Sequence, residues 1–337
     1  MIPPKPVSRR VVLATATALV AFLGLMACSR QNSASAASSA PKEASAPTAP
    51  SAPAEPVPPP EQGPLPSINA ARAMQYTREV TAFGPRPIGS ENHRKLEAYI
   101  YAHLKGVEVT DDLFTADTPA GKFPVRNIIA KFPGAKDGII VIAGHYDTCY
   151  PLRDTGYVGA NDGGTSTAIL LEFADDLRGK KNDGYSIWLV WTDGEEAVKQ
   201  WSDSDSLYGT RHLADLWQKD GTLKKIKAFL LEDMIGDADL NIEHDMNSTP
   251  WLEDFVEAAA TRYGYQSHFF GRVIAVEDDH LPFVEKGVPS ADLIDLDYGY
   301  NNVFHHTPQD TLDKLSPKSL QIVGDVTLET VRMLNQK

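Results

Sequence analysis

YSIWLVWTDGEEAVKQWSDSDSLYGTRH, residues 185–212, is the stretch whose reading decides the fold. Its apolar run at 187–191 has the length and the β-branched and aromatic bias of a buried strand. The run stops at Asp193-Gly194, a turn dipeptide, and Glu195 and Glu196 follow at once. Adjacent carboxylates at a strand end repel each other and lose solvation. They are kept there when a cation lies between them or when one of them holds a proton. A zinc ion held by one Glu, with the other free to move protons, meets both conditions. A lone Glu-Glu pair is more often a solvated acidic turn, so the weight falls on the rest of the chain.

On both sides of this stretch, strand and helix patterns alternate. Before it come a helix at 70–83, a rigid Phe83-Gly84-Pro85-Arg86-Pro87-Ile88-Gly89 loop, and a helix capped by Ser90 and running to about 104. Strands at 107–114 and 125–132 follow, with Pro119-Ala120-Gly121 as a turn between them. The spacing then predicts strands at 138–144, 186–192, 226–232 and 290–296, and helices at 164–178, 206–219, 250–263 and 317–334. This alternation predicts an α/β fold: a single domain with a mixed, mostly parallel central sheet flanked by helices.

In open α/β sheets the loops at the strand carboxyl ends build the site. Those ends read Gly144-His145-Tyr146-Asp147, then Gly159-Ala160-Asn161-Asp162-Gly163-Gly164 before a helix, then Asp193-Gly194-Glu195-Glu196, Glu232-Asp233 and Val303-Phe304-His305-His306-Thr307-Pro308. Each exit delivers carboxylate or imidazole, a regularity that a solvated surface does not produce. His with Asp or Glu is the ligand set of a catalytic zinc, with three protein ligands leaving a position for substrate or water.

The bulk numbers narrow the function further. The chain of 337 residues carries a formal charge of −13, of which about −15 falls after residue 66. That disfavours a nucleic-acid surface, which would be basic. Residues 1–28 read as an export signal: Arg9 and Arg10, an apolar run at 11–27, then Leu25-Met26-Ala27-Cys28, similar to the processing box of bacterial lipoproteins, in which the cysteine is lipidated. Ser8-Arg9-Arg10-Val11-Val12-Leu13 also resembles a twin-arginine signal. Residues 29–66, rich in Ser, Ala and Pro, read as a disordered tether, and 67–337 as the catalytic domain. The expected location is a membrane facing the periplasm or the exterior, with Cys28 as the anchor. With Cys28 in the leader, Cys149 has no intrachain partner.

The order HYD, GANDGG, DGEEA, LEDMIG and HHTP resembles the co-catalytic zinc exopeptidases. DGEEAVKQWSDSDSLYGTRHLA and VEDDHLPFVEKGVP are similar to the corresponding blocks of the glutaminyl-peptide cyclotransferases within that superfamily. The resemblance spans about residues 70–335, and WxxxDSLYGxRH is its most specific part. It implies Asp162, Glu196 and His306 as zinc ligands, Glu195 as general acid/base, Asp233 and Asp278 as further catalytic carboxylates, and Trp201 as a wall of the substrate pocket. His145 and Asp233 match positions that hold a second metal in the aminopeptidases, so one Zn²⁺ is expected and two would need this pair. The implied substrates are peptides or proteins with an N-terminal Gln. The implied reaction is closure to pyroglutamate with release of ammonia, the metal polarising the side-chain carbonyl, Asp278 holding the amine and Glu195 moving its proton. His305 stands where animal-type cyclases show Trp at the pocket wall, and Asp292 where they show His in a carboxylate network.

Two other readings compete. In a zinc aminopeptidase the metal would activate water with Glu195 as its base, and the chain supplies the residues for it. A non-catalytic peptide binder needs ligands but no proton shuttle, and the intact Glu195 argues against it. Asp278 together with the Trp201–His212 block favours the cyclase.

Overall fold

A six-stranded sheet brings a group of carboxylates to the carboxyl ends of its central strands. In chain order the strands are β1 (Glu108–Thr118), β2 (Gly121–Phe132), β3 (Lys136–His145), β4 (Tyr185–Thr192), β5 (Ile226–Asp233), β6 (Ile242–Asp245), β7 (Phe269–Ile274) and β8 (Ser290–Ile294). The helices are α1 (Ala70–Thr81), α2 (Glu91–His103), α3 (Gly164–Leu177), α4 (Tyr208–Asp220), α5 (Pro250–Tyr263), α6 (Leu281–Val284) and α7 (Pro317–Leu334). This computed structural model describes residues 55–59 and 63–337. The export signal at 1–28 and most of the tether at 29–66 lie outside the described residues. At the end of that tether, Pro64 O accepts from Arg332 Nη1 (3.2 Å) and Pro66 O from the Tyr263 hydroxyl. Among the described residues no helix is long and apolar enough to cross a membrane.

The large sheet runs β1-β2-β4-β3-β5-β8. The β1/β2 and β2/β4 pairs are antiparallel; β4/β3, β3/β5 and β5/β8 are parallel. The fold is therefore the expected mixed, mostly parallel α/β sheet. Its central strands are apolar on both faces, as a covered parallel sheet requires. Ile140 and Ile142 of β3, Leu189 and Trp191 of β4, and Ala228 and Leu230 of β5 join one buried cluster, together with residues of α1, α3, α5 and α7. Val141, Val190, Phe229 and Leu231 point the other way, to Leu213 and Trp217 of α4 and Phe283 of α6. Each fully buried Ile or Leu in these layers contributes roughly 1.5–3 kcal/mol.

The helix caps follow the sequence. Asn69 accepts from Arg72 N–H to start α1, and Ser90 accepts from His93 N–H to start α2. The β1–β2 hairpin runs further than its hydrophobic pattern predicts, leaving only Pro119-Ala120 as the turn. Beyond residues 114 and 125 only Ala116 is buried and most positions are polar and exposed, so the hairpin's outer end carries little apolar alternation. The sequence also gives no signal for the two-stranded sheet of β6 and β7. The buried Glu243 and Asp245 make β6 read as polar loop.

Strand alternation corrects one expectation. Glu232, read with Asp233 as a strand-exit acid, shares the face of Ala228 and Leu230. Its Oε1 accepts from Thr327 of α7 at 2.5 Å, away from the site. Burial lifts its pKa from 4.5 to about 8, against the lowering effect of Thr327. The folded pKa lies above the unfolded one, so this stabilisation is complete below about pH 4.5 and is lost as pH rises through about 8. Glu232→Gln should therefore be more stable than the wild type at pH 9, by about 1–3 kcal/mol, with a smaller gain at pH 6. Urea midpoints at the two pH values check this, and a gain independent of pH contradicts it.

Candidate active site

The carboxyl ends of β3, β4 and β5 open into a pocket of about 500 Å³. Asp162, Glu195, Trp201, Asp233, Asp278, His305 and His306 line it, which brings together seven of the residues singled out in the sequence. Glu196 and His145 lie just behind, both buried.

The Asp193–Glu196 turn is pinned before it reaches the pocket. Asp193 Oδ1 lies 2.7 Å from His93 Nε2 of α2, and its Oδ2 accepts Arg126 N–H at 2.7 Å. Gly194 takes φ +64°, which favours glycine. Its carbonyl accepts Tyr208 N–H and that of Glu195 accepts Leu207 N–H, each at 2.8 Å. Glu195 N–H donates to Asp147 Oδ1 (3.2 Å). Downstream, the Asp205 carboxylate gathers the amides of Val198, Lys199 and Gln200 at 2.8–2.9 Å. This explains the DSLYG block: Asp205 folds the loop that sets Trp201 on the pocket wall. Trp201 Nε1 donates to Glu277 Oε2 at 3.4 Å.

The expected metal donors converge. His306 Nε2 lies 3.1 Å from Glu196 Oε1 and 3.3 Å from Asp162 Oδ2. His145 Nε2 lies 3.1 Å from Asp162 Oδ1 and 3.2 Å from Asp233 Oδ1. Asp162 thus stands between two imidazoles. His145, Asp162 and Asp233 place donor atoms within 4.8 Å of one another, as do Asp162, His305 and His306, and Cys149, Glu196 and His306. His305, expected as pocket wall, is therefore within ligand range as well, and its ring packs on that of His306 at 3.9 Å. Buried Glu196 Oε2 and His145 Nδ1 have no hydrogen-bond partner among the described residues. His145 Nδ1 faces Asp147 Oδ1 at 3.7 Å, so it is the unpartnered Glu196 oxygen, with the His306, His145 and Asp233 atoms that converge on Asp162, that fits a divalent cation of zinc's preferences.

Electrostatics agree with that fit. Burial opposes charge on His306, but Glu196 and Asp162 outweigh it and raise its pKa to about 11. Burial likewise opposes charge on His145, yet Asp233, Asp147 and Asp162 hold it well above its ordinary value. Burial pushes Glu195 well above the carboxylate range, with Glu196, Asp278 and Asp279 adding to it against the pull of His145. Asp278 is raised in the same way by burial, Asp233 and Asp279. The acids therefore compete for protons that a metal and a substrate cation can replace. Burial, with Glu196 and Asp162, raises the Cys149 thiol, which makes it a poor nucleophile.

Several supporting residues escaped sequence reasoning. Arg86 is fully buried, and its guanidinium donates to the carbonyls of Tyr146 (3.0 Å), Gly159 (2.8 Å), Asp162 (3.3 Å) and Val158. Asp310 accepts Asn161 N–H (2.8 Å) and Asp162 N–H (3.2 Å). Gly163 starts α3 at φ +70°, where a Cβ would lie 2.6 Å from Asp147 O. His306 itself holds φ +50° and Met234, next to Asp233, φ +49°. Non-glycine residues in that region are held there by their surroundings and cluster at functional sites. A Pro-Arg-Pro loop and an Asp four residues beyond His306 are the sequence traces of two of these.

Sheet topology and pocket together define an α/β protein of the zinc exopeptidase fold with a converging set of candidate metal donors. The model of peptidase family M28 matches residues 127–331. The chain is 31 % identical over 255 residues to the glutaminyl-peptide cyclotransferase of Drosophila melanogaster, covering 67 % of this chain and 70 % of that relative. The crystal structure of the Acidobacteriales bacterium glutaminyl cyclase is 53 % identical with a TM-score of 0.80, covering 83 % of this chain and 99 % of that one. A Zn-dependent exopeptidase from Parabacteroides distasonis is 26 % identical with a TM-score of 0.70, covering 80 % and 99 %. The chain belongs to peptidase family M28 and, within it, to the glutaminyl-peptide cyclotransferases.

Arg86→Met should destabilise the chain by about 3 kcal/mol or more, since several buried carbonyls lose their donor at once. It should also weaken metal retention, because the loop bearing Asp162 loses its anchor. Urea unfolding and metal analysis after dialysis test both, and wild-type values in both contradict the assignment.

Proposed function

We propose that this chain is a zinc-dependent enzyme converting the N-terminal glutamine of peptides to pyroglutamate with release of ammonia. The observation that carries the reading is Asp278. It is a buried carboxylate whose Oδ2 has no hydrogen-bond partner among the described residues, and it lines the same pocket as Glu195 and Trp201. The pocket thus has an unpaired acid for an amine and a second acid to move its proton, lining the same cavity as the candidate metal donors.

Asp162, Glu196 and His306 would hold the zinc. When bound, zinc draws electron density from the side-chain carbonyl of the substrate glutamine. Asp278 accepts hydrogen bonds from the substrate amine and Asp233 adds negative charge beside it. Glu195 takes a proton from that amine, which suits a carboxyl held well above its ordinary range. The freed nitrogen attacks the side-chain amide carbon, Cδ, of its own residue, and this intramolecular geometry makes closure of the five-membered ring efficient. Glu195 passes the proton to the departing nitrogen, which leaves as ammonia, and no water is consumed. Trp201 and His305 wall the pocket and exclude solvent. Lipidation of Cys28 would tether the enzyme outside the cytoplasm by residues that lie outside those described.

One observation favours a second reading. His145, Asp162 and Asp233 form a complete second donor group, as an aminopeptidase with two metals would need. The two readings separate on Gln-Xaa and Leu-Xaa dipeptides: ammonia from the first and no free leucine from the second is the expected result. Free leucine at a comparable rate contradicts it. About one zinc per chain by metal analysis accompanies the cyclase, and two the aminopeptidase. Glu195→Gln should lower kcat by roughly 10²–10⁴-fold with zinc retained. Loss of zinc in that variant reverses the assignment of the two glutamates.

A further inference from the structure

The segment between β7 and α6 presents Asp278, which has no side-chain donor of its own to hold it, so its neighbours set its place. Upstream, Val276 N–H donates to Asp245 Oδ1 (3.1 Å) and Asn247 Nδ2 to Val276 O (2.6 Å). Next to it, Asp279 accepts from Thr192 at the end of β4 and from Thr210 of α4 (2.6 Å). A further contact comes from His280, which is fully buried. Its Nε2 lies 3.0 Å from Asp245 Oδ2, and its Nδ1 lies 3.6 Å from Asp292 Oδ2 on β8. Both aspartates are fully buried too. On their far side Ser248 links them: its Oγ donates to Asp245 Oδ2 (3.1 Å) and accepts Asp292 N–H (3.0 Å).

The two acids are not equivalent. Asp245 accepts from the amides of Val276 and Asn247 and from Ser248, the surroundings of an ionised acceptor. Neither oxygen of Asp292 has a hydrogen-bond donor among the described residues, and neither ring nitrogen of His280 has a hydrogen-bond partner of good geometry there, so unpaired atoms of the ring and the acid face each other. A buried carboxylate without a donor is costly, whereas a carboxylic acid there can donate to the ring nitrogen facing it. We propose that Asp292, His280 and Asp245 form a positioning chain, in which neutral Asp292 donates to His280 Nδ1 and His280 Nε2–H donates to ionised Asp245, locking the segment that presents Asp278. The inference rests on the substrate-amine role given to Asp278 above. The charged groups around the ring are consistent with it. Burial, with Asp278, Asp245, Asp233 and Asp279, pushes Asp292 well above the carboxylate range. Burial also acts to raise Asp245, but the facing His280 ring and the amides of Val276 and Asn247 together prevail and lower it. The chain thus ties β6, β8 and the pocket wall together with only one negative charge added next to Asp278. The same three side chains place donor atoms within 4.8 Å of one another, but the acids face opposite nitrogens of one ring, which suits a bridge better than a single bound ion.

The test reads His280 directly. In ¹⁵N spectra of histidine-labelled, zinc-loaded protein at pH 7, the ring should be neutral with its proton on Nε2. A doubly protonated ring, or a ring signal that shows a metal bound to it, overturns the proposal. Asp292→Asn keeps a donor toward Nδ1 and Asp292→Ala does not. Asp292→Ala should raise KM for a Gln dipeptide about tenfold to a hundredfold with a smaller change in kcat, and Asp292→Asn should stay within about threefold of the wild type. Equal losses in the two variants overturn the proposal, as does an alanine variant with wild-type KM. The ring state is read without substrate, so an error in the proposed reaction would alter the kinetics and leave the spectra unchanged.

Discussion

Like charges crowded into a dry pocket must find cations or protons, and this constraint organises the molecule. Asp162, Glu195, Glu196, Asp233, Asp278 and Asp279 are all buried near the ends of three neighbouring strands. Carboxylates do not stay ionised in such a place unless they are paired. His145 and His306 answer part of the demand, each standing between two acids. The rest is left to groups that arrive from outside the chain. A site short of positive charge is suited to a divalent metal at one end and a substrate ammonium at the other.

The fold meets this demand by fixing the backbone first. Asp193 is clamped between α2 and β2, so the turn after β4 cannot relax away from the pocket. Arg86 performs the same task for the loop that carries Asp162, and Asp205 for the loop that carries Trp201. Because the turn is held, Glu195 and Glu196 end in different surroundings although they are adjacent in sequence. Glu196 lies against His306, while Glu195 lines the open pocket. That separation suits the proposed division, in which Glu196 would grip a metal and Glu195 would carry a proton.

The sheet, its mostly parallel order and most helices were legible because buried parallel strands are nearly continuous apolar runs and their exits are polar. The acids and imidazoles at those exits were legible for the same reason, and Asp162, Glu195, Asp233, Asp278 and His306 meet in one pocket. Other features left no such trace. Glu232 looked like a strand-exit acid, but side-chain alternation turns it toward α7. The β6/β7 pair is too short and too polar to show a period. Arg86 and Asp310 act through backbone groups distant in sequence, and the left-handed backbone at Met234 and His306 is imposed by packing, which a single sequence does not display. His305 was expected only as a wall and proves close enough to Asp162 and His306 to share a metal.

The central claim is the division of labour between the two adjacent glutamates, and a zinc-loaded crystal measured at the zinc absorption edge tests it most directly. The account predicts an anomalous peak within coordination distance, about 2.0–2.2 Å, of Asp162, Glu196 and His306, with Glu195 outside that sphere and facing the pocket. A peak coordinated by Glu195 in place of Glu196, or no peak between these side chains in the presence of excess zinc, contradicts it.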